Sequence, residues 1–265
     1  MSRSPAAEVR LHRPSPEIAV LELSNPGRLN SFTQAMWVQL MQAVQELEQP
    51  ASGVRCIVLR GADGTAFAAG SDIHEFRSNR MNVTQAREYG RTVAEALLAL
   101  ERCDVPLVAQ IDGPCIGGGL AVAAWCDVRI AGESSTFGVP VKKLGLVMSP
   151  SEMRGLVMLA GPALVRELLL EGRVMNAAEA NARGLLSRVV PDTQVAAQAM
   201  AAAESIAAGA PLVARWHKRF VRDLSAMPLP TPQESEEAYA CFATNDYLAG
   251  LEAFEQKRKP VFHGN

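Results

Sequence analysis

The architecture of this chain is indicated most clearly by Pro106-Leu-Val-Ala-Gln-Ile-Asp-Gly-Pro-Cys-Ile-Gly-Gly-Gly-Leu-Ala-Val-Ala-Ala-Trp125. Its first residues, through Asp112, predict a buried strand, and Leu120–Trp125 predicts a helix. Three glycines, Gly117–Gly119, lie between them. A helix N-terminus leaves backbone N–H groups unpaired and carries a partial positive charge, so this turn favours an anion. The anion is either a phosphate or an oxygen that becomes negative only during a reaction.

A second segment of the same character lies upstream, Phe67-Ala-Ala-Gly-Ser-Asp-Ile73. A single glycine run most often marks a tight turn or close packing. Two such runs, each followed by a predicted helix, instead favour a site made of backbone donors.

The composition is typical of a soluble globular protein, with 48% hydrophobic and 20% charged residues among 265. A net charge of −2 argues against nucleic-acid binding, because it provides no general basic field. The first ten residues lack an apolar signal core, and no segment reaches membrane-spanning length. The five cysteines are odd in number and lack metal-ligand spacing, so we expect buried thiols and a cytoplasmic location.

Strand and helix patterns alternate through the first half of the chain, which predicts an α/β core. We expect residues 1–200 to form this core and residues 201–265 to form a helical region packed on it or on a neighbouring subunit. The more specific predictions are a helix beginning at Thr33, a helix Thr84–Arg102 capped by Thr84, helices Met153–Ala160 and Pro162–Glu171 separated by Gly161, one late strand in Leu185–Val190, and a helix Glu234–Lys257.

Several motifs occur together in a recognisable order. They are Asn25-Pro-Gly-Arg-Leu-Asn30, Phe67–Ile73, Asp112–Gly119, Cys126-Asp127, Phe137-Gly-Val-Pro140, Leu144-Gly-Leu146 and Ala253-Phe-Glu-Gln-Lys-Arg-Lys-Pro260. In this order and spacing the chain resembles the crotonase family, the enoyl-CoA hydratase/isomerase superfamily. The resemblance implies an α/β spiral of ββα units with a helical C-terminal trimerisation region, assembled as homotrimers or dimers of trimers.

The resemblance also implies an acyl-CoA substrate whose thioester carbonyl accepts hydrogen bonds from the backbone N–H groups of Ser71 and Gly118. No metal and no cofactor are implied beyond the coenzyme A that is part of the substrate. The residues implied to contact coenzyme A are Arg28, Leu29, Ala69 and Ile73, with Lys259 and Phe262 near the nucleotide. Taken alone, Arg28 and Lys259 are equally well explained as solvated surface charges.

The chain departs from the family where the hydratases carry catalytic carboxylates. The two glutamate positions are occupied by Ala121 and Val141, and a third acidic position is occupied by Ser149. Neither a methyl nor an isopropyl group transfers a proton, and losing general acid–base assistance costs roughly 10²–10⁴-fold in rate.

Glu152 is the nearest acid that could substitute as a catalytic group. However, Ser149-Pro-Ser-Glu152 is also a capping-box pattern, and we favour that structural interpretation. Lys142 is predicted to be solvated, with binding of a substrate carboxylate as its alternative. His74 is predicted to be a surface residue, with access to the acyl pocket as its alternative, and Asp72 is predicted to cap a turn.

Three functions therefore remain open. The first is an acyl-CoA enzyme of the hydratase/isomerase type with unconventional proton-transfer groups. The second is a decarboxylase or thioester hydrolase, because decarboxylation needs enolate stabilisation and a dry pocket but no initiating base. The third is a non-catalytic acyl-CoA-binding protein.

Overall fold

The computed structural model describes residues 6–225, 236, 239–258 and 260. The strands among them are β1 (Glu8–Ser15), β2 (Ile18–Ser24), β3 (Cys56–Gly61), β4 (Leu107–Ile111), β5 (Pro114–Ile116), β6 (Val128–Gly132), β7 (Thr136–Gly138), β8 (Val174–Asn176) and β9 (Arg188–Val190). The α-helices among them are α1 (Gln34–Glu48), α2 (Phe76–Asn79), α3 (Val83–Arg102), α4 (Gly118–Ala124), α5 (Pro150–Glu171), α6 (Ala177–Ala182), α7 (Val195–Ala207), α8 (Pro211–Leu224) and α9 (Asn245–Glu255).

The strands form two sheets. The larger has the order β1-β2-β3-β4-β6-β9, in which β1 and β2 are antiparallel and the remaining pairs are parallel. The smaller has the order β5-β7-β8. Because β4 runs directly into β5, the chain turns from one sheet into the other next to the triple glycine. This arrangement confirms the predicted α/β spiral with helices in the C-terminal part.

Both faces of the larger sheet are covered, as parallel sheets require. In β2, Ala19, Leu21 and Leu23 point into the main core with α1, α3 and α4. The intervening Ile18 and Val20 pack on the other face against alanines of α7. The side chains of β2 therefore point into two apolar layers, one on each face of the sheet.

The start of α1 is confirmed. The Thr33 side chain accepts a hydrogen bond from the Met36 N–H at 3.2 Å, and Met36, Trp37 and Leu40 are buried. The start of α3 was predicted incorrectly. Asn82, in extended conformation, caps that helix through the Gln85 N–H at 3.0 Å, so Thr84 lies inside the first turn.

The predicted break at Gly161 is confirmed: its φ of 77° is non-helical and divides α5 into two helical parts, although the first begins at Pro150 and not at Met153. The later part of the chain differs from the prediction in two further places. The short strand β8 was not predicted; it pairs with β7 in the smaller sheet, so β9 is not the one late strand. The predicted helix Glu234–Lys257 is, in its described part, a 3₁₀ turn (Ala240–Ala243) followed by α9, because Thr244 is extended and caps α9 at the Tyr247 N–H.

Candidate active site

The two glycine segments meet where the sheets join. The Ile116 N–H donates to the Ala68 carbonyl at 2.9 Å, which aligns the segment after β3 beside β5. Gly70 has a φ of +91°, and a Cβ built on it would lie 3.7 Å from the Gly118 nitrogen. A Cβ on Gly119 would lie only 2.4 Å from the Ala68 oxygen. Glycine is required here because two stretches of backbone touch.

This contact brings Ser71 and Gly118 together in the lining of one pocket. Gly118 is the first residue of α4, so its N–H has no partner within the helix. Among the described residues, neither N–H donates a hydrogen bond to another group. The main chain at Gly70–Ser71 and Gly117–Gly118 is called the backbone wall below.

The pocket has a volume of about 120 Å³, and side chains form the rest of its lining. We define its side-chain wall as Arg80, Val141, Leu144, Met148 and Glu152. Within this set Glu152 is the single acid and Arg80 the single base. The rest is aliphatic or a thioether, so the pocket is largely apolar with one charge of each sign.

The three positions at which the resemblance implies carboxylates in hydratases have different surroundings in the structure. Val141 lines the pocket, whereas Ala121 is fully buried in the main core and does not contact the pocket. Ser149 is buried at the start of α5. A group replacing the missing acids must therefore come from elsewhere on the side-chain wall.

Glu152 both caps α5 and lines the pocket. The capping box is confirmed: Glu152 Oε2 accepts from the Ser149 N–H at 3.1 Å and from the Ser149 hydroxyl at 2.7 Å. The same carboxylate lines the pocket. Its second oxygen, Oε1, accepts no hydrogen bond from the described residues. A catalytic role for Glu152 stays a prediction, and it is compatible with the cap.

Arg80 was not singled out by the sequence. It follows α2, and its guanidinium lies over the rings of Phe76 and Tyr89, at 4.5 and 3.6 Å from their centroids. Its Nη2 donates to the Ser71 hydroxyl at 3.3 Å. No local motif marks this arginine, because Tyr89 reaches it from α3 and the contact depends on tertiary packing.

Of the described residues implied to contact coenzyme A, two line the pocket and two do not. Ala69 and Ile73 line the pocket, and the Ala69 N–H donates to the Leu29 carbonyl at 3.0 Å. Leu29 itself is 49% exposed. Arg28 Nη1 donates to His74 Nε2 at 2.6 Å. Lys259 and Phe262 lie outside the described residues.

Asp72 organises the loop that carries Ser71. As predicted, its side chain caps a turn, accepting from the His74 N–H at 3.0 Å, and it also contacts the His74 ring and the Asn25 amide. Burial opposes ionisation of Asp72, but the bonds from His74 and Asn25 outweigh it and lower the pKa. The His74 side chain is exposed, consistent with the surface position that we expected.

Lys142 does not have the inward position considered as its alternative. It is exposed, and its ammonium donates to the Leu170 carbonyl at 2.7 Å near the end of α5. Cations at a helix C-terminus are stabilised by the free carbonyls there.

Glu75 lies near Asp72 in the loop that carries Ser71. Burial raises the pKa of the Glu75 carboxyl, although the Gln34 N–H donates a hydrogen bond to it at 2.7 Å.

The described residues contain no cluster of three or more His, Cys, Asp or Glu side chains placed to hold a metal ion. Nor do they contain a helix long and apolar enough to cross a membrane.

Comparison with known proteins agrees with this geometry. The family model described as enoyl-CoA hydratase/isomerase matches residues 14–265. The chain therefore belongs to the enoyl-CoA hydratase/isomerase family, within the crotonase superfamily. It is 32% identical to the mitochondrial enoyl-CoA hydratase of Pongo abelii, over 92% of this chain and 83% of that protein. It is 31% identical to the enoyl-CoA hydratase EchA19 of Mycobacterium tuberculosis, over 92% of each.

Solved structures point to more than one reaction within the family. An enoyl-CoA hydratase/carnithine racemase from Magnetospirillum magneticum is 42% identical with a TM-score of 0.80, covering 99% of this chain and 97% of that one. A methylmalonyl-CoA decarboxylase in complex with 2-nitronate-propionyl-CoA is 28% identical with a TM-score of 0.85, covering 97% of this chain and 98% of that one. The shared fold therefore does not select a reaction.

Proposed function

We propose that this protein is an acyl-CoA enzyme of the hydratase/isomerase type that stabilises a thioester enolate through the N–H groups of Ser71 and Gly118. The observation that supports the proposal is that Ser71 and Gly118, whose N–H groups donate to no other described group, line the same largely apolar pocket. A thioester oxygen held there would accept both hydrogen bonds, and both would strengthen as negative charge develops. In this site Arg28, Leu29, Ala69 and Ile73 are the proposed contacts of coenzyme A.

Glu152 is the proposed proton-transfer group. Its Oε1 is available to take a proton from the carbon next to the carbonyl, while Oε2 stays bonded to Ser149. The C–H electron pair then becomes the enolate, and return of the proton to the same or another carbon completes an exchange or isomerisation. A fixed carboxylate is well suited to this step, because one oxygen orients the other.

Decarboxylation is the second candidate, supported by the apolar character of Val141 at a position where the family's hydratases carry an acid. In that reaction the bond to the carboxylate breaks, CO₂ leaves, and the electron pair becomes the same enolate. The α-carbon then takes a proton from water. No base is needed to begin, and a dry pocket disfavours the reactant carboxylate. Thioester hydrolysis and binding without turnover are the remaining alternatives.

Mass spectrometry distinguishes these functions directly. The protein is incubated in D₂O with saturated, enoyl and malonyl-type CoA thioesters. Deuterium at the α-carbon, or water added to an enoyl substrate, supports the proposed type. Loss of CO₂ without exchange into saturated thioesters supports decarboxylation, and release of free coenzyme A supports hydrolysis. Binding without any change would contradict an enzymatic role towards these thioesters.

We also propose assembly into homotrimers or dimers of trimers, supported by an unusual helix at the C-terminal side. Helix α8 contacts the core through basic side chains, including Lys218 with Asp127 at 2.8 Å and Arg222 with Asp104 at 3.0 Å. Its apolar residues face outwards, with Phe220 50% and Leu224 89% exposed. A second subunit covering them would bury this surface. Light scattering of wild type and Phe220→Glu tests it: a monomeric variant of a trimeric protein is expected.

A cytoplasmic location is the last proposal of this section. Four cysteines, Cys56, Cys103, Cys115 and Cys126, are free and buried, as expected for a reducing compartment. Burial raises the pKa of the Cys103 thiol to about 11 and keeps it protonated. Fractionation of cells expressing the tagged protein tests the location, and recovery in an organelle would contradict it.

A further inference from the structure

Arg80 is held in place by contacts that do not use its charge fully. Phe76 and Tyr89 are both buried and contact the guanidinium with their rings. The backbone carbonyl of Arg80 accepts a hydrogen bond from the Tyr247 hydroxyl at 3.0 Å, which fixes the Arg80 backbone from the side of α9. Aromatic faces attract a cation but accept no strong hydrogen bonds from its five N–H groups. The side chain is therefore positioned while most of its donors remain available.

Arg80 forms no ion pair within 4.0 Å among the described residues, although its charge acts on the Glu75 carboxyl from a greater distance. Its Nε is buried and donates to no group there, and its single side-chain hydrogen bond goes to the Ser71 hydroxyl. Other arginines differ: Arg77 pairs with Glu255, and Arg60 pairs with Glu22 at 2.7 Å. A buried donor without an acceptor is costly, so such groups commonly mark a place where a ligand binds.

Glu152 is the obvious internal partner, because it lines the same pocket, yet it does not pair with Arg80. Its Oε2 is held by Ser149 at the start of α5, and no ion pair joins it to Arg80 within 4.0 Å. The pocket thus keeps its positive and negative groups apart. An anionic substrate group would be attracted to Arg80 and repelled from Glu152, which gives it one preferred orientation.

The position of Ser71 relative to Arg80 indicates where an anionic substrate group would bind. Arg80 Nη2 is 3.3 Å from the Ser71 hydroxyl, and the N–H of the same serine is a proposed donor to the thioester oxygen. A group bound by Arg80 must therefore lie close to the thioester carbonyl. The rest of the side-chain wall is aliphatic or thioether apart from Glu152, so Arg80 is its one suitable anion-binding group.

We propose that Arg80 is a specificity-determining residue that binds a carboxylate on the acyl group, one or two carbons from the thioester carbonyl. The substrate class is then a CoA thioester of a short dicarboxylic acid, of malonyl or succinyl type. A guanidinium suits this task because its planar fork matches a carboxylate. The proposal rests on the proposed acyl-CoA function but does not depend on which reaction follows.

The test uses CoA thioethers, which lack the carbonyl and so do not react. Calorimetry compares 2-carboxypropyl-CoA with isobutyl-CoA, and 3-carboxypropyl-CoA with butyl-CoA, so that each pair differs by a carboxylate in place of a methyl group. The wild type is expected to bind the carboxylate of at least one pair about 10- to 100-fold more tightly, as charge-assisted hydrogen bonds allow. Arg80→Met is expected to abolish this preference while binding the methyl ligand as before.

Two further variants make the result specific to Arg80. Arg77→Met removes a neighbouring arginine of α2 that is half exposed and paired with Glu255, and it should leave the preference unchanged. Arg80→Lys keeps the charge without the fork and should retain part of the preference; it replaces Arg80→Met if that variant does not fold.

The alternative results contradict either the carboxylate proposal or the proposed function. Equal affinities of wild type within both pairs would overturn the carboxylate proposal. An equal loss for both ligands of a pair in Arg80→Met would also overturn it, and would indicate that Arg80 only positions the Ser71 loop. Failure of the wild type to bind any CoA thioether or acyl-CoA would instead contradict the proposed function itself.

Discussion

The backbone wall and the side-chain wall of the pocket are built on different principles. The backbone wall consists of main-chain N–H groups held by contacts so close that Gly70 and Gly119 admit no side chain without strain or collision. The side-chain wall consists of residues that touch the pocket with their ends, such as Val141 and Glu152, and their replacement leaves the main chain in place. The first wall is therefore restricted by the fold, and the second is free to change with the substrate.

This difference bears on the proposed loss of the hydratase acids at Ala121 and Val141. Donors in the main chain need no particular side chain, so the proposed oxyanion site persists when neighbouring residues vary. Under the proposal, the side chains at these two positions change without any change in the donors. The proposed stabilisation of the enolate thus depends on the backbone wall, whereas the reaction that the enolate then undergoes depends on the side-chain wall.

The largest effect is expected from breaking the backbone wall. Gly118→Pro removes the N–H while occupying the first position of α4, where proline is tolerated. Turnover of the best thioester should fall about 10²–10³-fold, as when an oxyanion donor is removed elsewhere. Steady-state kinetics measures the fall, and circular dichroism and light scattering establish that the variant is folded and assembled.

Gly118→Ala is the matched control for this substitution. It keeps the N–H, and its Cβ would lie 3.0 Å from Trp37, a contact that requires a small adjustment. Its activity should stay within about tenfold of wild type, well above that of the proline variant. Similar losses in the two variants would assign the effect to packing against Trp37, and full activity of Gly118→Pro would remove this donor from the mechanism.

A smaller effect is expected from the acid of the side-chain wall. Glu152→Gln keeps an oxygen that accepts from Ser149 but loses the ability to take a proton. Exchange of α-protons in D₂O should slow about 10²-fold, with the unfolding midpoint unchanged. Glu152→Ala, in contrast, should also destabilise the protein by roughly 0.5–2 kcal/mol through loss of the cap. Unchanged exchange in Glu152→Gln would leave Glu152 a capping residue only.

The converse experiment introduces an acid into the side-chain wall. Val141→Glu places a carboxylate at a position that lines the pocket, whereas an acid at Ala121 would enter the fully buried core. Hydration of an enoyl-CoA should rise about tenfold, a modest share of what general acid–base catalysis provides. Val141→Gln has a similar shape without the basicity and should show no rise. Equal rates in the two variants would mean that this position does not face the reacting carbons.

The two walls also differ in how well the sequence predicts them. The backbone wall depends on local signals: the glycines, the strand before them and the helix after them are contiguous in the chain. The motifs predict Ser71 and Gly118 together as donors to one oxygen, and both residues line one pocket, while their role as donors stays a prediction. The capping box at Ser149 was predicted for the same reason, since it involves residues three positions apart.

The side-chain wall depends on contacts between distant parts of the chain, which local patterns do not contain. Arg80 is held by Tyr89 of α3 and by Tyr247 of α9, so no residue adjacent to it in sequence indicated that it lines the pocket. Strand β8 was missed for a related reason, because three residues form a strand only by pairing with β7. Lys142 was considered for the pocket from its neighbours, yet the end of α5 binds it outside.

The smallest effect is expected at Asp72, which supports the backbone wall without lining the pocket. Asp72→Asn should lower the free energy of unfolding by about 1.5–3 kcal/mol at pH 7, the range for a hydrogen bond to a charged group. Folding lowers the pKa of this carboxyl, so its contribution is complete above the ordinary pKa of aspartate and is lost as the pH falls through the lowered value. Urea unfolding of both proteins across this acidic range should show the difference shrinking. A difference independent of pH would assign the effect to shape instead of charge, and a large loss of turnover at neutral pH would show that the loop needs Asp72 to hold the Ser71 N–H. The expected result, a stability cost with turnover nearly unchanged, would mean that close backbone contact at Gly70 suffices to hold the donor.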